Sequence, residues 1–139
     1  INPDRLIFAE KTDMAEHLAR HQKADLFLDT FAYNAHATAL DALWAGLPVL
    51  TMQGNNFPSR VGSSILSAAE LPELITTSEH EYESKAQWLV DHPDELRQLK
   101  DRLIKNRLKC SLFNTEKTTR DLEQIYRECW QETTGMISK

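Results

Sequence analysis

Apolar residues in this chain alternate between short continuous runs and stretches where they recur every third or fourth position. The first pattern predicts buried strands and the second predicts one-sided helices. The runs are Leu6-Ile7-Phe8, Leu26-Phe27-Leu28, Val49 to Met52 and Leu74-Ile75-Thr76. Asp25 and Asp29 bound the second run, as expected for a strand covered on both faces. Between Lys11 and Gln22, Met14, Leu18 and His21 are helically spaced. The later helical stripes are Leu40, Leu43 and Trp44; Val61, Ile65 and Leu66 with Ala68 or Ala69; Tyr82, Ala86 and Leu89; and Leu96, Leu99 and Leu103. A strand, a helix and a strand at this spacing predict right-handed parallel crossovers, hence an open α/β sheet.

Punctuation residues set the expected boundaries. Asn34 is a good N-cap for a helix whose Leu40, Leu43 and Trp44 face the sheet, and Gly46 and Pro48 stop it. Pro58 fits the first position of the next helix, which Ser59 and Arg60 open, and Glu70-Leu71-Pro72 breaks it. Ser78 with Glu81 forms a capping box, and Asp91 to Asp94 is a turn in which His92 is a turn residue rather than a ligand. Asn114 or Thr115 caps a last helix over residues 114–132, with Leu122, Ile125, Tyr126 and Cys129 or Trp130 on one stripe. The tail after Glu132, with Gly135, is expected to fray.

The 139 residues suffice for one domain with its own core, so residues 1–139 are read as a single α/β unit. A net charge of −5 argues against nucleic acid or an anionic membrane as the main partner, and leaves room for a small phosphorylated ligand. The two cysteines, Cys110 and Cys129, have neither zinc-site nor disulfide-framework spacing. No apolar run approaches the roughly 20 residues that span a bilayer, and no basic-then-apolar leader is present. A cytoplasmic location is the expectation. The chain opens at Ile1-Asn2-Pro3 without a methionine, and a piece of a longer protein is the expectation. Nucleotide-loop, hydrolase-elbow and zinc-helix motifs are absent, as are repeats of about 34 residues.

The candidate chemistry lies between Ala24 and Pro48. Thr38 and Asp41 are three apart on one helix face, away from Leu40 and Trp44, while His36 and Ala37 occupy the first turn. First-turn amides have no intrahelical partner, and the dipole there favours an anion by roughly 0.3–2 kcal/mol per charge. A helix that starts at the carboxyl edge of a parallel sheet is an anion site, and a carboxylate one turn deeper suits the paired hydroxyls of a ribose. The spacing points to a nucleotide, with phosphates at His36–Thr38 and sugar at Asp41. From spacing alone, a capped amphipathic helix with a solvated Asp41 is the preferred reading, because such helices are common. Ser59 and Arg60 are either a second phosphate contact or an Arg bridging two loops.

This stretch resembles the catalytic region of the O-linked N-acetylglucosamine transferase and SPINDLY family. The matching residues are Asp25, Leu28-Asp29-Thr30, Asn34, His36, Thr38, Asp41, Leu43-Trp44-Ala45-Gly46 and Pro48. The likeness continues through Thr51-Met52, Gly54, Ser59-Arg60-Val61, Glu73-Leu74-Ile75, Glu81-Tyr82 and Leu112-Phe113-Asn114-Thr115. It implies a three-layer Rossmann-like parallel sheet forming part of the C-terminal half of a GT-B fold. It implies transfer of a sugar such as N-acetylglucosamine from a UDP donor to a protein side chain, with inversion, without a cofactor and without a required metal.

By the same likeness, His17 lies against the uracil, the backbone near Thr12 and the Arg20 side chain read its edge, and Met14 stands where the family commonly has a lysine. His36, the Ala37 amide and Thr38 then hold the diphosphate, stabilising the leaving group, and Asp41 holds the ribose. Ala37 replaces a family threonine. A further lysine, the N-terminal lobe and tetratricopeptide repeats are expected upstream of these residues, with the terminal helix crossing to that lobe. The chain alone is then expected to bind donor weakly and to transfer nothing. Competing readings are another GT-B transferase, a UDP-sugar epimerase, or a non-catalytic scaffolding remnant, the last motivated by Met14 and Ala37.

Overall fold

The computed structural model describes residues 2–137. Three strands, β1 (Phe27–Leu28), β2 (Val49–Met52) and β3 (Ile75–Thr76), form a parallel sheet in the order β1-β2-β3, with Phe27 opposite Val49 and Thr51 opposite Ile75. Helix α1 (Met14–His21) precedes β1. The crossovers are α2 (Ala37–Trp44) and α3 (Val61–Ala68), followed by α4 (Glu79–Asp91), α5 (Pro93–Asn106) and α6 (Thr115–Ile137). Both crossovers advance the sheet in one direction, which places α2 and α3 on the same face. Helix α4 packs against β2 and β3, with α5 behind it. Val49, Leu50 and Thr51 alternate sides yet are all buried, so β2 is covered on both faces, as a three-layer α/β architecture requires. The core is aliphatic: Leu43, Leu47, Leu50, Leu66, Leu71, Leu74, Leu89 and Leu103 are all buried.

The β2 strand, the inward residues of α4 and α5, and the Gly46 stop follow the sequence pattern. Gly46 takes φ +88°, its amide donates to Leu43, and the Leu47 amide reaches back to Ala42 at 2.8 Å. Ser78 caps α4 by accepting from the Glu81 amide, and Asn114 caps α6 by accepting from the Lys117 amide. The Glu81 carboxylate reaches one residue beyond the box. It accepts from the amide and hydroxyl of Thr77, and these bonds hold its pKa below the ordinary carboxylate value.

Several expectations are corrected. Leu6-Ile7-Phe8 form no strand, and Ile7 and Phe8 are 92% and 90% exposed. The free edge of β1 offers two residues to pair with, and no helix covers the trio, so nothing offsets the entropy of ordering it. Strand β1 is not covered on both faces, since Leu28 is exposed. The face of α2 turned inward is Ala39, Ala42 and Leu43, because small residues let the helix approach the sheet closely. Trp44 turns outward, with Phe113 edge-on at 5.2 Å and the Arg107 guanidinium over its ring. Helix α3 starts at Val61, three residues after Pro58, which sits in the preceding turn. Helix α6 extends past Glu132 to Ile137.

Helix α3 ends in the same geometry as α2, but with Glu70 at the left-handed position, φ +61°. The Glu70 amide donates to Ser67 and the Leu71 amide to Leu66. A side chain is strained there, and the contact from Asn106 to the Glu70 carboxylate, at 3.4 Å, is too long to compensate. Glu70→Gly is expected to stabilise the chain by about 0.5–1 kcal/mol. A denaturant midpoint that stays level or falls in this variant would contradict the assignment.

Candidate functional site

The carboxyl edge of the sheet is organised by Asp29, the residue after β1. It is 4% exposed and meets donors on every side. One carboxylate oxygen accepts from the Thr30 and Ala35 amides at 2.8 and 2.6 Å, and the other accepts from the Thr51 hydroxyl at 2.6 Å. The Asp29 carbonyl accepts from the Tyr82 hydroxyl at 3.0 Å. Burial first, and then the nearby Asp29 charge, push the Tyr82 phenol up to about 12, so it remains a donor at any physiological pH. Phe31 packs edge-on against the same Tyr82 ring.

Asn34 is the second fixed point, and it is not the N-cap of α2. Fully buried, it donates to the Thr30 carbonyl at 2.8 Å and accepts from the Gly62 amide at 3.2 Å, while its own amide donates to Pro58. The cap position falls to His36, whose side chain makes no capping bond. The loop from Thr30 to Ala35 is therefore held rigidly from both ends, while the start of the helix it delivers is left open. Among the described residues, the Ala37 and Thr38 amides meet no acceptor, and both residues are exposed. The His36 ring stacks on Tyr33 at 4.9 Å, and Phe57 approaches it edge-on at 6.3 Å. Its Nε2 is buried and, among the described residues, has no hydrogen-bond partner.

Helix α1 lies beside α2. Asp13 caps it by accepting from the Glu16 amide, and the Thr12 hydroxyl donates to the Glu16 carboxylate. Met14 is the first residue of the helix rather than part of the loop, and it is 64% exposed. Arg20 donates to the Glu10 carbonyl at 2.8 Å, which ties the preceding loop to the helix. Its guanidinium also meets His17 Nδ1 at 3.0 Å. A guanidinium cannot accept, so Nδ1 is the acceptor and Nε2 carries the proton. That Nε2 faces the Asp41 carboxylate at 3.9 Å, too long for a hydrogen bond. His17, Arg20 and Asp41 thus converge from two helices, with Thr12 in the loop before α1. A cleft of about 390 Å³ opens among Glu10, Thr12, Glu16, Arg20 and Lys23.

Ser59 and Arg60 separate. Ser59 is buried, and its hydroxyl bonds the amide and carbonyl of Asn56, which fixes the turn before α3. Arg60 is exposed and lines a cleft of about 380 Å³ with Phe57, Val61 and Ser64. The sequence pattern marks Asp29 only as a strand boundary and Tyr82 only as an inward helix residue, and it gives no signal at Tyr33 or Phe57. Among the described residues, no group of three or more His, Cys, Asp or Glu is placed to share a metal ion. No helix among them is long and apolar enough to cross a membrane.

An open parallel sheet with helices on both faces and an uncapped helix start at its carboxyl edge is the architecture of a Rossmann-like lobe. The chain belongs to glycosyl transferase family 41, whose profile matches residues 1–122. It is 37% identical to a probable UDP-N-acetylglucosamine–peptide N-acetylglucosaminyltransferase, SEC, of Arabidopsis thaliana, over 94% of this chain and 13% of that protein. It is 34% identical to the UDP-N-acetylglucosamine–peptide N-acetylglucosaminyltransferase of Caenorhabditis elegans, over 94% of this chain and 11% of that protein. The chain therefore spans about an eighth of the length of these relatives. Its structure superposes on a mutant O-GlcNAc transferase of Thermobaculum terrenum with a TM-score of 0.81 and 32% identity, covering 87% of this chain and 23% of that one. The fold is accordingly part of the C-terminal half of a GT-B fold.

Proposed function

We propose that this chain is the donor-binding part of a UDP-sugar-dependent, inverting glycosyltransferase that moves N-acetylglucosamine to a protein side chain. The observation that carries the reading is the convergence at one sheet edge of the unpaired α2 amides with His17, Arg20 and Asp41. Names of the relatives support the substrate class: UDP-N-acetylglucosamine as donor and a peptide as acceptor. The uracil lies against His17, its edge read by the Thr12 backbone and Arg20, beside the exposed Met14. Asp41 accepts from the ribose hydroxyls. His36, the Ala37 amide and Thr38 hold the diphosphate, with Arg60 as an outlying cation. Ser59 acts through the loop it fixes. The upstream lobe, a further lysine and tetratricopeptide repeats complete the enzyme in the cytoplasm.

The physical problem in this reaction is the leaving group. As the glycosidic bond breaks, negative charge grows on the UDP phosphates and must be stabilised. The α2 amides are fixed in direction by the buried Asp29–Asn34 network, so they need no reorganisation as the charge develops. They therefore favour the transition state over bound donor without a metal in the step.

Calorimetric titration of the chain with UDP tests the reading. Asp41→Asn is expected to weaken binding about tenfold through loss of a charged acceptor, and Thr38→Ala about threefold. Unchanged affinity in both variants rejects the site. A catalytically lost remnant is separated from an active enzyme by donor hydrolysis in the full-length protein, which the remnant would not perform.

A further inference from the structure

Tyr33 and Phe57 are large aromatic residues left 64% and 78% exposed in the loops that follow β1 and β2. Burial in the core does not account for either. Among the described residues, the ring contact each makes is with His36: Tyr33 face to face at 4.9 Å and 16°, Phe57 edge-on at 6.3 Å and 89°. The His36 Nε2 is shut off from solvent and, among the described residues, has no hydrogen-bond partner. A polar atom kept dry and unpaired is costly, and any ligand group that reaches it is favoured by relief of that cost. His36 is also the residue at which the open end of α2 begins, so its side chain cannot shift without changing where Nε2 stands relative to the Ala37 and Thr38 amides.

We infer that Tyr33 is a positioning residue for His36: its ring holds the imidazole in the one orientation from which Nε2 meets a diphosphate at the α2 N-terminus, and Phe57 shields Nε2 until the ligand arrives. The stacked partner is the tighter one, at 4.9 Å, and it sets the plane of the imidazole. Phe57, edge-on, farther away and mostly exposed, is free to turn aside. The contact is ring on ring, so the ring rather than the phenol hydroxyl of Tyr33 does this. Tyr33 is thus a contributor to phosphate recognition that acts without touching the phosphate. This inference rests on the nucleotide-sugar reading.

The test is titration of the chain and its Tyr33→Ala and Tyr33→Phe variants with UDP and, in parallel, with uridine, which lacks the phosphates. A stacked ring pair corresponds to a factor of about 2–10 in affinity, so Tyr33→Ala is expected to weaken UDP by about fivefold. Uridine binding is expected to stay at the wild-type level, and Tyr33→Phe is expected to bind UDP as the wild type does. The His36 ring-proton resonance is expected to move in Tyr33→Ala and to stay in Tyr33→Phe, which a merely structural role for an exposed loop residue would not produce. Equal weakening of UDP and uridine, unaltered UDP affinity in Tyr33→Ala, or a Tyr33→Phe variant as weak as Tyr33→Ala each overturns the positioning role while leaving the nucleotide reading intact. A wild-type chain that binds neither ligand overturns the nucleotide reading itself, and the phosphate role of His36 falls with it.

Discussion

Asp29→Ala is expected to destabilise the chain by about 3–5 kcal/mol and to abolish UDP binding, the largest effect of any single substitution at the sheet edge. The buried carboxylate is the shared acceptor of the Thr30 and Ala35 amides and the Thr51 hydroxyl. Each donor left unpaired in the interior costs about 1–3 kcal/mol, and the three losses do not simply add. A domain of this size is stable by only about 5–15 kcal/mol, so a substantial fraction goes with one side chain. Asp29→Asn separates charge from shape. Its remaining oxygen can serve the two amides while its NH₂ turns to the Thr51 oxygen, and the expected loss is about 1–2 kcal/mol. Denaturant unfolding of both variants checks this; a loss below about 1 kcal/mol in Asp29→Ala would show that the network is not what fixes the loop.

Gly62→Ala is the second large effect. A Cβ built at Gly62 stands 2.4 Å from the Thr51 hydroxyl oxygen and 2.8 Å from an Asp29 carboxylate oxygen. Both neighbours are buried and hydrogen-bonded to each other, so neither retreats cheaply. The methyl group pushes α3 away from β2 and strains the bond from the Gly62 amide to Asn34, at an expected cost of about 2–3 kcal/mol. Gly135→Ala is the matched control. Its Cβ meets nothing within 4 Å on α6, and a gain of up to about 1 kcal/mol from helix propensity is expected. Thermal midpoints that move alike in the two variants would sink the steric account.

The two glycines also mark what the sequence makes legible. Features set by neighbours a few positions away read correctly: the β2 run, the inward faces of α4 and α5, the stop at Gly46, the caps at Ser78 and Asn114. Features set by distant partners do not. Asn34 has the composition of a cap, but its partner Gly62 is 28 residues away, and it becomes a strut between two loops. Asp29 has the look of a strand boundary, while its ligands include Thr51, 22 residues on, and Tyr82, 53 residues on. The failure of Leu6-Ile7-Phe8 as a strand has the opposite cause: its local pattern is adequate, and no partner surface answers it. At the site, spacing pointed to the α2 terminus and to Asp41, and the family likeness added α1. The aromatic pair around His36 carried no periodic signal, since isolated loop aromatics look alike until their partner is known.

Helix α6 has a consequence for any measurement made on this chain. From Thr115 to Thr133 every residue is exposed, and its lateral support is a series of i,i+4 pairs, Lys117–Asp121, Glu116–Arg120 and Glu123–Arg127. Such pairs contribute a few tenths of a kcal/mol each and weaken as salt is added. Opening of α6 is therefore only loosely coupled to opening of the sheet, and the two behave as separate foldons. Ellipticity will report a shallow, salt-sensitive helix–coil component laid over a sharper cooperative step, and amide exchange will be fast along α6 while β2 stays protected.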